Sequence, residues 1–130
     1  PMQGAAEVLQ AGEAWVQGVV SNKTGRFLRA EISHLGWDSH FRTVVGAGDA
    51  HADKPDPAPI LLALQALEAK PDVSIWYLGD TASDMQAARA AGVTAVLVGD
   101  ASHDGGVARA APDIHFPSAH ALAARLRFIA

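Results

Sequence analysis

Apolar runs of strand length alternate along this chain with segments whose apolar residues recur every three or four positions. That alternation is the pattern of repeated β-α units around a parallel sheet. Ala5 to Ala11 reads as a first helix, opened by Pro1. Trp15-Val16-Gln17-Gly18-Val19-Val20 reads as the first strand and stops at Ser21-Asn22-Lys23. Thr24 is placed to cap a helix carrying Phe27, Leu28, Ile32 and Leu35, closed by Gly36. Thr43-Val44-Val45 is a short strand, and Gly46 to Pro55 a polar, glycine-containing loop. Asp56-Pro57 then opens a helix with a cap residue and a proline at its first position, and Ile60, Leu61, Leu64 and Leu67 supply the buried face. Ser74 to Leu78 is a strand, Thr81 to Ala91 an alanine-rich helix with Gly92 as its C-cap, and Thr94 to Val98 a further strand. Asp113 to Phe116 reads as a short edge strand, and Ser118 caps a terminal helix holding Leu122, Leu126 and Ile129. The strands are continuously apolar, which predicts helices on both faces of the sheet. The expected fold is α/β, a doubly wound parallel sheet, in one domain over residues 1–130.

Composition narrows the class of partner. Hydrophobic residues make up 49% of the 130 positions and charged residues 18%, a globular and not a disordered balance. The net charge of −4 comes without any basic run, so neither nucleic acid nor an anionic membrane has an electrostatic footprint here. Cysteine is absent, which removes disulfides, thiolate metal sites and a thiol nucleophile. No apolar stretch reaches bilayer length and no charged-then-apolar leader is present, so a cytoplasmic location is expected.

Chemistry concentrates at the ends of three predicted strands. Gly79-Asp80-Thr81-Ala82-Ser83-Asp84-Met85 follows the apolar run Ile75-Trp76-Tyr77-Leu78. It puts Asp80 at a strand's C-terminal end and Asp84 on the first turn of the next helix, at the edge where open α/β sheets bind ligands. Two carboxylates beside helix N-terminal N–H groups suit a hard divalent cation and its phosphate. The same residues also read as a plain helix cap and a solvated acid. Upstream, Ser21-Asn22-Lys23 offers a hydroxyl and turn N–H groups, and Lys54-Pro55-Asp56-Pro57 an ammonium whose direction two prolines constrain. A phosphoryl group needs donors on its oxygens, a cation to offset its charge and a metal bridging it to carboxylates.

Taken in order, these three motifs, with Ala88, Ala91 and Gly92 trailing the last, resemble the haloacid dehalogenase-like hydrolase superfamily, and within it the phosphoglycolate phosphatases and similar small-molecule phosphatases. The resemblance runs from Pro1-Met2-Gln3-Gly4 to about Phe116. It implies that Ser21 bonds the transferring phosphoryl group, that Asn22 lies in the turn donating to it, and that Lys54 steadies nucleophile and phosphoryl charge. It implies Asp80 as a Mg²⁺ ligand and Asp84 as its partner, directly or through water. The substrate would be a small phosphorylated metabolite. The family's first motif, a strand ending in Asp-x-Asp that supplies the nucleophile and the general acid, is not found in this chain. The expectation is therefore a C-terminal core portion lacking its central nucleophile strand and cap, inactive alone, with apolar sheet edges exposed and dimerisation possible. The competing reading is a non-catalytic doubly wound domain that binds phosphate, metal or a partner.

Other residues carry less. The six histidines have no paired helical spacing and read as surface or packing residues. Asp49, His51 and Asp53 read as a solvated loop, Trp15 and Trp76 as core residues on strands, Trp37 as packing at a helix end, and Gly99 to Gly106 as a flexible loop.

Overall fold

The computed structural model describes residues 4–129, without the side chains of Asn22 and of residues 127–129. The opening Pro1-Met2-Gln3 of the sequence reading, and the Asn22 side chain, lie outside the described residues. Five strands, β1 (Gly18–Thr24), β2 (Thr43–Ala47), β3 (Trp76–Gly79), β4 (Thr94–Val98) and β5 (Ile114–Phe116), alternate with helices α1 (Ala5–Ala11), α2 (Gly25–His34), α3 (Ala58–Ala66), α4 (Ala82–Ala91), α5 (Gly106–Ala110) and α6 (Ala119–Ile129). Every pairing among the described strands is parallel. The fold is the α/β arrangement of a doubly wound core.

β4 shows why both faces are covered. Ala95 and Leu97 point into one cluster with Ile60 and Leu64 of α3 and with Met85, Ala87 and Ala88 of α4. Val98 points into a second cluster with Val8 and Ala11 of α1 and Leu122, Ala123 and Leu126 of α6. Successive strand side chains alternate faces, so an all-apolar strand needs a helical layer on each side. The alanines of α4 let its backbone lie close to the sheet, and Gly92 ends it in the left-handed conformation (φ 83°) that a side chain would resist.

The sheet is divided. β1 pairs only with β2, and β3 with β4, which in turn pairs β5. Between the two pieces runs an apolar cleft of about 620 Å³, lined among others by Val16, Gly18, Leu64, Trp76, Leu78 and Leu126. The edges of β1 and β3 that border it carry no strand partner among the described residues.

Several boundaries moved for identifiable reasons. β1 begins at Gly18, not Trp15, because its partner begins only at Thr43, opposite Gly18. Trp15 and Val16 are left 42% and 64% exposed, so the expected core role of Trp15 is overturned, whereas Trp76 packs on Phe116 with ring centres 6.4 Å apart. β1 also continues through Ser21-Asn22-Lys23 to Thr24, with an irregular register after Val20. β3 starts after Ser74, whose N–H is tied to the Asp72 carboxylate at 2.6 Å. Phe27 lies outside the buried stripe of α2, 57% exposed beneath the Arg26 guanidinium. Leu61 of α3 is likewise 39% exposed. The segment after Gly99 is not a plain loop: it holds a 3₁₀ turn, Ser102–Asp104, and then α5.

Gly79 is where β3 and α4 come closest, and a Cβ there would stand 2.3 Å from the Cβ of Asp84. Both atoms are anchored to backbone, so Gly79→Ala is expected to lower stability by about 1–3 kcal/mol. Urea unfolding of the two proteins measures it, and an unchanged midpoint would contradict the close approach.

Candidate active site

Gly79 closes β3, and Thr81 takes the N-cap of α4 in an extended conformation (φ −129°, ψ 162°). Its hydroxyl accepts the Asp84 N–H at 3.1 Å. Asp84 Oδ2 in return accepts the Thr81 N–H at 3.2 Å and the Asp80 N–H at 3.1 Å, a reciprocal cap. The Ala82 N–H donates to Asp104 Oδ2 at 2.8 Å. The N–H groups of Asp80, Thr81, Ala82 and Asp84, open to an anion in the sequence reading, are thus spent on the chain's own side chains.

Asp84 is 6% exposed, the buried acid of the core, and its other oxygen decides its role. Lys54 arrives from the loop after β2, across a cis Lys54–Pro55 peptide, and its Nζ donates to Asp84 Oδ1 at 2.6 Å. Each of the two side chains is 9% exposed. The ammonium also donates to the Tyr77 hydroxyl at 3.0 Å and lies 3.5 Å from the Val20 carbonyl, the residue before Ser21. Burial pushes the Asp84 carboxyl up, yet the Lys54 ammonium and hydrogen bonds from Lys54, Thr81 and the Asp80 N–H hold it below the usual carboxylate range. Burial pulls Lys54 down, and Tyr77 and Asp84 outweigh it, leaving the ammonium above its ordinary value. At neutral pH neither group is a proton-transfer catalyst. The pair can position and neutralise.

The structure therefore brings Lys54, Asp84 and β1 at Val20, where its regular register breaks, to one place. Ser21 is half-buried beside it, with its hydroxyl accepting the Lys23 N–H at 3.1 Å. Asp80 is exposed at the end of β3. The two carboxylates do not form the free pair the spacing suggested, because the cap turns Asp84 inward onto Lys54. Among the described residues no group of three or more histidine, aspartate or glutamate side chains gathers around a common point.

Sequence reasoning missed two contributors, Tyr77 and Asp104. Tyr77 carried a signal, a polar-tipped residue in an apolar run two positions before Gly79. Asp104 carried none. The acids before Lys54 organise their own loop: Asp49 accepts the Gly46 N–H at 2.8 Å and bonds Arg29 at 3.0 Å, and Asp53 accepts the Gly48 N–H at 3.1 Å.

The profile of haloacid dehalogenase-like hydrolases matches residues 1–98. The chain belongs to the haloacid dehalogenase-like hydrolases. A phosphoglycolate phosphatase of Xylella fastidiosa is 34% identical over 110 residues, covering 80% of this chain and 47% of that protein. An N-acetylmuramic acid 6-phosphate phosphatase of Pseudomonas aeruginosa is 34% identical over 102 residues, 75% of this chain and 44% of its own length. The chain spans about half the length of the curated relatives it matches. Among solved structures, a haloacid dehalogenase-superfamily hydrolase from Ehrlichia chaffeensis superposes with a TM-score of 0.82 at 29% identity, over 96% of this chain and 57% of that one. A structure described as a putative β-phosphoglucomutase from Thermotoga maritima reaches 0.83 at 20% identity over 98% of this chain and 60% of its own, a likeness of fold. Among the described residues no helix is long and apolar enough to cross a membrane.

In this haloacid dehalogenase-like chain the Lys54–Asp84 pair sets a stability window. Asp84 is depressed, so its contribution is present above the unfolded value near 3.9 and is lost as pH falls through the lower folded value. Lys54 is raised, so its contribution is present below about 10.4 and is lost as pH rises through the higher folded value. Lys54→Met strands a buried carboxylate, with an expected cost of about 3–5 kcal/mol at pH 7. Without Lys54, burial raises the Asp84 carboxyl, so protonation relieves the stranded charge and the deficit of the variant relative to the parent shrinks as pH falls. Urea titrations between pH 7 and pH 3 check both statements, and identical pH profiles would contradict the pairing.

Proposed function

We propose that this chain supplies the phosphoryl-positioning and metal-holding part of a magnesium-dependent phosphomonoester hydrolase, similar to phosphoglycolate phosphatases and acting on a small phosphorylated metabolite. The observation that carries the reading is the buried Lys54–Asp84 pair, held against Val20 of β1 in a fold whose β1 and β3 border an apolar cleft and, among the described residues, have no strand partner across it. The family membership and the relatives named as phosphatases support it. An apolar strand lying in that cleft would pair with β1 and β3 at once and bring its final residue beside Lys54.

In this reading the nucleophilic aspartate comes from such a strand, outside this chain. Its carboxylate oxygen attacks phosphorus, the ester P–O bond breaks, and the second acid of the Asp-x-Asp motif gives its proton to the departing alkoxide. Water then attacks the aspartyl-phosphate, inorganic phosphate leaves, and that acid recovers its proton from the water. Ser21 and Asn22 bind phosphoryl oxygens, while Lys54 holds the nucleophile and the developing charge in place.

The donor set fits Mg²⁺, which binds few carboxylates and keeps several waters. Asp80, exposed at the end of β3, would be a direct ligand, and Asp84, with both oxygens engaged, would reach the ion through water. When bound, the ion would offset the charge on the phosphoryl group.

Two measurements test the reading. Calorimetry should find weak Mg²⁺ binding to this chain that Asp80→Asn abolishes, and equal affinity in both would remove Asp80 from the site. Turnover of p-nitrophenyl phosphate with Mg²⁺ should be at background for this chain and appear in a version extended upstream with an Asp-x-Asp strand. In that extended protein, assayed below its unfolding temperature, Lys54→Met should cost about 10²–10³ in kcat. Robust turnover by the short chain, abolished by Asp80→Asn, would show the nucleophile to lie within it.

A further inference from the structure

Tyr77 is the one tyrosine of the chain, and its hydroxyl sits between the lysine of the site and the far strand. It lies on β3, and its ring packs against the cluster formed by α3, α4 and β4. The hydroxyl is 3.0 Å from Lys54 Nζ and 3.2 Å from the carbonyl oxygen of Val20 on β1. Chemistry settles the direction of both bonds. An ammonium has no acceptor and a carbonyl no donor, so Lys54 donates to the phenol oxygen and the phenol O–H donates to Val20. Burial raises the Tyr77 hydroxyl above its ordinary value despite Lys54, so it keeps that proton through the neutral range.

The hydrogens of Lys54 can then be accounted for. Of the three on the ammonium, one goes to Asp84 at 2.6 Å and one to Tyr77 at 3.0 Å. The third faces the Val20 carbonyl at 3.5 Å, the outer limit of a hydrogen bond, and that carbonyl already has the closer phenol O–H. This third N–H is the weakly held one, and it is directed at the break in β1's register just before Ser21.

We propose that Tyr77 is a positioning residue: by giving the Val20 carbonyl its closer donor and taking one Lys54 hydrogen, it leaves the remaining Lys54 N–H held only at 3.5 Å by Val20 and so available to an anionic oxygen beside Ser21 of β1. The proposal rests on the phosphatase reading for what that oxygen belongs to, but not for the placement of Lys54. The same hydroxyl ties β3 to β1 across the cleft, so the lysine and both strand ends are held as a unit. Without it, the Val20 carbonyl loses its phenol donor, the Lys54 N–H now 3.5 Å away is expected to close onto it, and Ser21 and Lys54 lose their common reference.

The test uses Tyr77→Phe, which keeps the ring in the core and removes only the hydroxyl. On this chain, the Lys54 side-chain ¹⁵Nζ and ¹³Cε resonances should shift in the variant while the amide spectrum stays dispersed. Unchanged Lys54 resonances would overturn the proposal. In the upstream-extended protein, Tyr77→Phe should lower kcat about 10–100-fold with KM little changed, and it should cost nothing further in a Lys54→Met background. Equal losses in both backgrounds would mean that the hydroxyl acts independently of Lys54, and would overturn the positioning role. If the extended parent turns nothing over while the Lys54 signal shifts in Tyr77→Phe, the phosphatase reading falls and the anchoring of Lys54 stands. Should Tyr77→Phe fail to fold, 3-fluorotyrosine labels this chain at Tyr77 alone. Its ¹⁹F resonance should then move on Lys54→Met, and a resonance that does not move sinks the proposal.

Discussion

The buried ion pair between Lys54 and Asp84 is the constraint on which the site depends. Two opposite charges, each side chain 9% exposed, are held at 2.6 Å. Removing two ions from water is costly, and the mutual attraction offsets that only when the remaining polar atoms are also satisfied. Here they are. Asp84 Oδ2 takes two backbone N–H groups, and Lys54 finds Tyr77. The conformation of the loop after β2, the start of α4 and the end of β1 all follow from keeping these partners in place.

The division of the sheet has the opposite character, since it leaves groups unsatisfied. Apolar side chains line a cleft between β1 and β3, and the bordering strand edges have no ladder partner among the described residues. An open apolar edge favours pairing with another strand. The polar cluster is thus bonded internally in a fold whose β1 and β3 edges lack strand partners among the described residues, and this contrast joins the architecture to the reading of the site.

Relatives carrying different phosphatase names are each 34% identical to this chain, over 80% and 75% of its length. That is the behaviour expected when one fold supplies shared positioning groups and other parts of the molecule select the substrate. In this chain the groups of the candidate site are of two kinds. Lys54 and Asp84 are locked by internal bonds, while Asp80 is exposed just after β3 and Ser21 is half-buried within β1.

The order of elements was legible in the sequence because periodicity follows from which faces must be buried. The apolar run of β4 and the alanines before Gly92 each announced their element for local reasons, whereas α3 begins at Ala58 with Pro57 as its N-cap, one residue later than Asp56-Pro57 predicted. Family membership was equally legible, in the residues around Lys54 and in Asp80 to Asp84. What the sequence could not show was partnership. Trp15 looked like a strand residue, yet no facing strand begins before Thr43. Asp80 and Asp84 looked like a matched pair of ligands, and only the cap at Thr81 and the arrival of Lys54 turned one inward and left the other exposed. Tyr77, Asp104 and the Val20 carbonyl entered the site through contacts that span 22 to 57 positions of chain. Local pattern reports which side of an element faces the core. The partner each buried polar atom finds depends on distances that only the folded chain brings about.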